Sequence, residues 1–488
     1  MDARFSTRLE ARTQAIGEIV FEDASFVKTG EKNGKEDGER TIPSGNWGTK
    51  GKITFVAGKS AENVSALVGA GKSEGFSDAV LREVAAEFAR ACCSHSFSRL
   101  SLGLSLGDGE RAFSRTFSAA AAEGVLAGFY RFDKYLKEDR KAVRLESFAL
   151  IGGDEEGLQR GRIVGEAESY AKDLCNEPGN VVNPVTFALV ASRLSARLGL
   201  DCSIYDEKEI ADYGMSVLWH VGKGSATPPR LVHLVYRPED SSRDRALRKR
   251  VVVVGKGVTF DSGGLCLKTR EGIRNMKNDK NGACVMLGVL KAAAELKLPL
   301  EVHGIAGLVE NMPDGGAYRP GDIIRAMNGK TIEVQNTDAE GRLTLADVLT
   351  FASKIEPDAI IDVATLTGAA KSALGSYTAA LLCDDDTLSG ALLSAAAAAG
   401  ERLHRFVMDD QRLREGMNGL HADLRQSSPD GGGTIAGGMF LREFVEPSIP
   451  WAHIDIAATG WYEKEFGVYS RGASAYALRT IVEYLSAL

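Results

Sequence analysis

The 488-residue chain lacks the marks of several whole classes of protein. No apolar run approaches the ~18 residues needed to cross a bilayer, and the opening MDARFSTRLEARTQ has no apolar stretch of the kind a secretory leader needs. No membrane partner is expected. The seven cysteines (92, 93, 175, 202, 266, 284, 383) form no C-x-x-C pair, which excludes a structural zinc knuckle and fits reduced thiols. The seven histidines (95, 220, 233, 303, 404, 421, 453) show no H-x-x-x-H spacing, and each singly reads as a core or surface residue. Net positive charge is also missing. Lys plus Arg total 59 against 66 Asp plus Glu, giving −7, which argues against a surface built for nucleic-acid phosphates. No internal repeat recurs at a fixed period.

What is present is an ordinary globular mix, 44% hydrophobic and 26% charged, long enough for two to four domains. Glycine is in excess, 54 residues against a usual ~7%, and clusters between apolar runs, where it can shape a site. The cytoplasm is the expected location. Arg4, Arg8 and Arg12 recur as in an organellar transit helix, but Asp2 and Glu10 interrupt the positive charge. The terminal Ser486-Ala487-Leu488 lacks the basic middle residue of a peroxisomal address.

An α/β fold is expected, divided as an N-terminal α/β domain over 1–160, a connecting helix and turn over 161–184, and a larger domain over 185–488. In the first, a strand at 52–56 and helices near 78–93 and 112–129 surround a polar tract, Lys28 to Lys52, that reads as an exposed loop. Beyond it, Arg250–Val254 is a β-branched run ended by Gly255, the pattern of a strand buried on both faces. A helix at 283–296, a strand at 300–309, a helix at 344–355 and a strand at 359–366 follow, the alternation of a mixed, largely parallel sheet flanked by helices. Asn328-Gly329 marks a tight hairpin. Gly69-Ala70-Gly71-Lys72-Ser73 imitates a phosphate-binding loop, but Ala66 stands where the first glycine is required.

Chemistry concentrates after the 250–254 strand, because open α/β sheets place their sites beyond the carboxyl ends of strands. In GKGVTFDSGGLCLK (255–268), Asp261 by itself could be a turn former, and Lys256 and Lys268 surface lysines. Asp279 precedes a helix and could be its N-cap. In NTDAEGRL (336–343), Asp338 and Glu340 stand two apart, so in an extended segment both carboxylates point the same way and can grip a cation. Four carboxylates brought together need compensation, and two divalent cations would balance them. The shortage of histidine clusters makes any such site carboxylate-dominated, suited to Mg, Mn or carboxylate-bridged Zn.

These segments, with ENMPDGGAYRPGD (310–322), DVATLTGA (362–369), PDGGGTIAGGMFLREFV (429–445) and HIDIA (453–457), resemble the leucyl aminopeptidase family of two-metal exopeptidases. The likeness covers roughly 165–488, and the first ~160 residues match only in general character. It implies one metal held by Lys256, Asp261, Asp279 and Glu340, with Lys256 as a neutral amine of lowered pKa. The other would be held by Asp261, Asp338 and Glu340. The metals would be zinc or manganese, with cobalt or magnesium as alternatives, and a metal-bridging hydroxide would attack the N-terminal peptide bond of peptides with a free amine.

The resemblance further implies Lys268 as oxyanion stabiliser and Arg342, with Leu366, as holder of a bicarbonate proton shuttle. Met276, Thr365, Gly368, Ala457 and Gly460 would form a pocket for leucine-like side chains. It also implies a homohexamer, with the N-terminal domain serving oligomerisation or regulation. Lys280 and Asn281 depart from the family, which more often has an apolar and a small residue there, and Glu177 adds a negative charge in the connector. Two other readings stand beside this one. Some members of the family double as DNA-binding proteins, for which the basic run Arg243–Arg250 could serve, although it also reads as a solvated helix. Bridged metals would equally suit hydrolysis of a phosphoester.

Overall fold

The computed structural model describes residues 3–10, 12–23, 26–29, 40–43, 48–56, 63–106, 109–110, 113–238 and 249–488. Two compact units emerge, one of residues 1–169 with 463–471 and the other of 170–462 with 472–488. The division at Ser169 and Tyr170 falls inside one helix, and the first unit recovers a short late segment that the linear reading assigned to the catalytic part.

In the first unit, β1 (Arg4–Ser6), β2 (Ala15–Val20), β3 (Ile53–Val56), β4 (Val64–Gly69), β5 (Arg99–Leu106) and β6 (Ser147–Leu150) lie in the order β1-β6-β5-β2-β4-β3. Only β3 runs antiparallel to its neighbour; Gly109–Glu110 adds a short pairing on β5. Helices α1 (Asp78–Ser94) and α2 (Arg115–Phe129) bury their apolar faces in the core with Phe88, Leu102, Val125 and Phe148. Ser77 and Ser114 cap them, each accepting an amide of the first turn. Arg4 lies in β1, so the spaced arginines do not share a helix. Of the polar tract, Phe26–Thr29 and Arg40–Pro43 pair as antiparallel strands, which corrects the loop reading there, and most of the rest lies outside the described residues. So does most of the basic run, its residues 243–248.

The second unit begins within α3 (Glu155–Asn176) and adds α4 (Pro184–Leu198), β7 (Asp201–Tyr205), β8 (Arg230–Tyr236), β9 (Arg250–Asp261), α5 (Asn281–Glu295) and β10 (Glu301–Asn311). There follow α6 (Glu340–Ser353), β11 (Ala359–Ala364), α7 (Gly368–Leu374), β12 (Ala379–Cys383), α8 (Asp386–Ala399), β13 (Leu403–Phe406), α9 (Gly433–Arg442), β14 (Trp451–Asp455) and α10 (Leu478–Ser486). The sheet order is β7-β8-β10-β9-β11-β14-β12-β13, with β10, β9, β11 and β14 parallel at the centre. The chain steps from β9 to β10 in one direction and from β10 to β11 in the other. Right-handed crossovers therefore put α5 and α6 on opposite faces. Accordingly α5 packs with α4 and α10, while α6 packs with α9. Beyond the carboxyl ends of β9 and β11, where the connections diverge, lies the crevice such sheets use for ligands. The Asn328-Gly329 turn forms as expected between Ile323–Arg325 and Thr331–Glu333, with Gly329 at φ +90°.

Two strands of this sheet bring together histidines that are far apart in sequence. His303 Nε2 lies 2.7 Å from Glu301 Oε1, and His303 Nδ1 lies 2.8 Å from His233 Nε2. The carboxylate needs a donor, so His303 carries its proton on Nε2 and accepts from His233. Arg237 and Arg250 complete the group by pairing with Glu301. Burial, then the neighbouring His303, pushes His233 down from 6.5 to about 4. The unfolded chain binds a proton that the fold refuses, so this stabilisation is complete above pH 6.5 and lost as pH falls toward 4. Denaturant titrations should show about 1–2 kcal/mol of loss from this group by pH 5, and His233→Gln, which keeps an N–H donor, should remove that part of the slope.

Candidate metal centre

Strand β9 carries two of the predicted residues, Lys256 and Asp261, to the crevice. Lys256 is buried, with Nζ 2.8 Å from Asp279 Oδ1 and 2.9 Å from Glu340 Oε1, and it donates to the Thr365 carbonyl at 2.9 Å. Lys268 reaches back from the following loop, its Nζ 2.7 Å from Asp261 Oδ2 and 2.6 Å from Asp338 Oδ1. Asp261, Asp338 and Glu340 each offer a carboxylate oxygen within 4.8 Å of the others. Six of the predicted residues thus converge. Arg342, two positions into α6 from Glu340, is buried but turns to the Gln426 carbonyl at 2.7 Å. Leu366 lies near it: a methyl group on Gly437 would stand 3.4 Å from Leu366 Cδ2 and 3.6 Å from Arg342 Nη2.

Of the predicted pocket, Thr365 touches the cluster directly, its hydroxyl donating to Asp279 Oδ1 at 2.6 Å. Gly460 packs beside it, since a methyl there would lie 3.1 Å from Thr365 Cγ2. Met276 opens the short helix bearing Asp279, Gly368 opens α7, and Ala457 follows β14.

Three local readings need correction. The strand does not stop at Gly255 but continues to Asp261, because β10 goes on pairing as far as Asn311 after β11 has ended its pairing at Val363. Asp261 is therefore held by a ladder rather than in a loose glycine turn. Asp279 does not cap α5; it belongs to a 3-10 turn, Met276–Lys280, that spends its Oδ1 on Lys256 and Thr365. Asp338 and Glu340 are not in an extended segment, since Glu340 is already the first residue of α6. Their carboxylates meet because the turn folds Asp338 back beside the helix start.

Sequence reasoning missed the residues that hold this arrangement. Asn311 donates from Nδ2 to Asp261 Oδ1 at 2.8 Å and to the Thr337 carbonyl at 2.9 Å, and Tyr318 donates its hydroxyl to the same carbonyl at 2.7 Å. The Thr337 hydroxyl donates to the Gly263 carbonyl and accepts the Cys266 amide. One buried threonine thereby ties the loop before Lys268 to the turn bearing Asp338. Asn311, Tyr318 and Thr337 sit inside the segments that carried the resemblance, but no spacing rule singles them out.

Four carboxylates against two ammonium groups leave the cluster negative. Burial, then the Glu340 charge, lifts Asp261 from 3.8 to about 6, and burial drives Asp279 well above its ordinary value. At Glu340 burial also opposes ionisation, yet Lys256 and Lys268 hold its carboxyl below 4.5. At Lys256 burial opposes the ammonium, but Asp279, Glu340 and Asp261 outweigh it and keep the proton on more tightly than in an ordinary lysine. A cation bound at Nζ would therefore have to displace this proton. The donor set fits divalent metals. It is oxygen-rich, it carries surplus negative charge, and Asp279 Oδ2 is buried with no hydrogen-bond partner.

Comparison with known proteins identifies the family. The family model described as "Cytosol aminopeptidase family, catalytic domain" matches residues 169–482, and that of the same family's N-terminal domain matches 40–139. A protein of Aquifex aeolicus named "Probable cytosol aminopeptidase" is 49% identical over 76% of this chain and 75% of its own length. One of that name from Rippkaea orientalis is 37% identical over 98% of this chain and 95% of its own. Among solved structures, "Bottromycin maturation enzyme BotP in complex with Mn" matches with TM-score 0.86 and 34% identity, covering 97% of this chain and 99% of that one.

The start of α5 must come close to the sheet for the site to form. A methyl group on Gly282 would overlap the Val363 carbonyl and stand 2.8 Å from the Lys256 amide nitrogen. Gly282→Ala should cost about 1–3 kcal/mol in chemical denaturation. Gly390→Ala, at an exposed position of α8 with nothing within 4 Å among the described residues, should instead stabilise by about 0.5–1 kcal/mol.

Proposed function

The chain belongs to the cytosol aminopeptidase family, and from that premise we propose that it releases the first residue of peptides with a free N-terminus, favouring leucine-like side chains. The observation that carries this is the convergence of Asp261, Asp338 and Glu340 within 4.8 Å, with Lys256 and Lys268 seated among them. Lys256, Asp261, Asp279 and Glu340 would hold one divalent ion and Asp261, Asp338 and Glu340 the other, Asp261 and Glu340 bridging. Zinc or manganese is favoured, with cobalt or magnesium as alternatives. When bound, such ions supply Lewis-acid polarisation of the scissile carbonyl and a water acidic enough to attack near neutral pH.

The chain's own residues do the rest. Lys268, the lysine on the open side of the cluster, stabilises the oxyanion that develops on the carbonyl. Arg342 presents a planar fork that would hold a bicarbonate, with Leu366 beside it, and such an anion would supply a proton carrier for the leaving amine. Met276, Thr365, Gly368, Ala457 and Gly460, small or apolar, receive the first side chain. A peptide blocked at its amine loses a contact at the cluster, which confines the enzyme to chain ends. The proposal places the protein in the cytoplasm as a homohexamer, with the first unit serving assembly or regulation; among the described residues no helix is long and apolar enough to cross a membrane.

Hydrolysis of a leucyl amide reporter, with and without N-acetylation, on enzyme stripped by chelator and resupplied with single metals, tests the reading. Activity on the free amine alone, abolished by stripping and restored by metal, is expected. Silence under every metal would overturn it. Lys268→Ala should lower kcat by about 10²–10³-fold with KM changed far less.

A further inference from the structure

Asp455 ends β14 next to β11 and is fully buried. Its carboxylate collects four donors. Oδ1 accepts the amides of Leu366 at 3.1 Å and Ala457 at 3.0 Å; Oδ2 accepts the amide of Thr367 at 3.0 Å and its hydroxyl at 2.6 Å. A buried carboxylate is tolerable only when so satisfied, and these bonds fix the chain just after β11. The Thr367 hydroxyl also accepts the Ala370 amide, so the same contact sets the start of α7.

The residue before this clamp is Thr365. It touches the metal cluster twice, its carbonyl accepting from Lys256 Nζ at 2.9 Å and its hydroxyl donating to Asp279 Oδ1 at 2.6 Å. No hydrogen bond of Thr365 reaches Asp261, Asp338 or Glu340 among the described residues. A clamp acting through Thr365 therefore addresses one half of the cluster.

We propose that Asp455 is a positioning residue that, through Leu366 and Thr367, holds Thr365 so that it orients Lys256 and Asp279 toward one of the two metals. The inference rests on the reading that Lys256 and Asp279 serve one metal and Asp338 the other. Outer partners of metal ligands are commonly worth 10–100-fold in affinity. Asp455→Asn keeps the size but sets an amide NH₂ against backbone donors, and Thr367→Val leaves the carboxylate its three amides while removing the 2.6 Å bond together with the hydroxyl's contacts to the Ala370 amide and Thr434.

The test is titration of stripped, folded enzyme with Mn²⁺ or Zn²⁺ against a chromophoric chelator, with thermal melting in parallel. The parent should take up two equivalents. Asp455→Asn should loosen one equivalent about 10–100-fold and leave the other within a few-fold, Thr367→Val should do so more weakly, and Thr367→Ser should bind like the parent. Two parental affinities in a folded Asp455→Asn enzyme would overturn the inference, as would parallel weakening of both equivalents that tracks the melting temperature. If Asp455→Asn does not fold, the contrast between Thr367→Val and Thr367→Ser decides. A parent that binds fewer than two equivalents overturns the site reading itself, and with it this inference.

Discussion

Buried Lys256, Asp261, Asp279 and Glu340, with half-buried Lys268 and Asp338 beside them, form the constraint on which the second unit turns. Each such group taken from water costs several kcal/mol unless another group answers it. Lys256 is answered by Asp279, Glu340 and the Thr365 carbonyl, and Lys268 by Asp261 and Asp338. Each contact comes from a different stretch of chain, so the cluster exists only when β9, the 276–280 turn, the start of α6 and the end of β11 are all in place. Charge compensation and fold are thus one problem. The residual negative charge is what would favour a cation there.

Close approach of backbones is the geometric counterpart. A methyl on Gly255 would meet Ala283 and the Gly282 carbonyl at 2.5 Å, and one on Gly282 would meet β11. Removing side chains at these positions lets α5 begin against the sheet, and that brings Asp279, two residues before the helix, level with Lys256 on the strand. The glycine-rich character of the region therefore serves packing between helix and strand rather than a flexible loop. This explains why Asp261 sits in a rigid ladder despite the Gly-x-Gly that precedes it.

The parts legible in sequence were those encoded locally. The run Val251–Val254, the helical patterns flanking it and the Asn-Gly hairpin carry their own signals, and the charged residues announced a clustered site by type and company. The extension of β9 to Asp261 was not legible, because it depends on pairing with β10, whose matching residue Asn311 lies far along the chain. The helix start at Glu340 was likewise hidden. No side chain caps it, and its first turn is held by tertiary contacts to Lys256. The histidine pair and the Asn311, Tyr318 and Thr337 bracket escaped for the same reason, since only the sheet order makes them neighbours.

Lys280 and Asn281 show how such a site absorbs a further charge. Lys280 is wholly buried, but its Nζ turns from the carboxylates to the carbonyls of Glu177 at 3.0 Å and Lys277 at 2.6 Å. Asn281 donates to Asn278 Oδ1 at 3.0 Å and to the Gly460 carbonyl at 2.8 Å. A lysine satisfied by carbonyls does not compete with Lys256 for Asp279, so the added charge leaves the partners of the carboxylate oxygens unchanged. It instead fastens the turn bearing Asp279 to the connector at 176–177, a bond that Lys277 doubles through the Asn176 carbonyl. Asn281 similarly ties that turn to Gly460, beside Thr365. Two residues that look disruptive in one dimension therefore act as braces, because the direction of each side chain is set by which backbone carbonyls lie within reach.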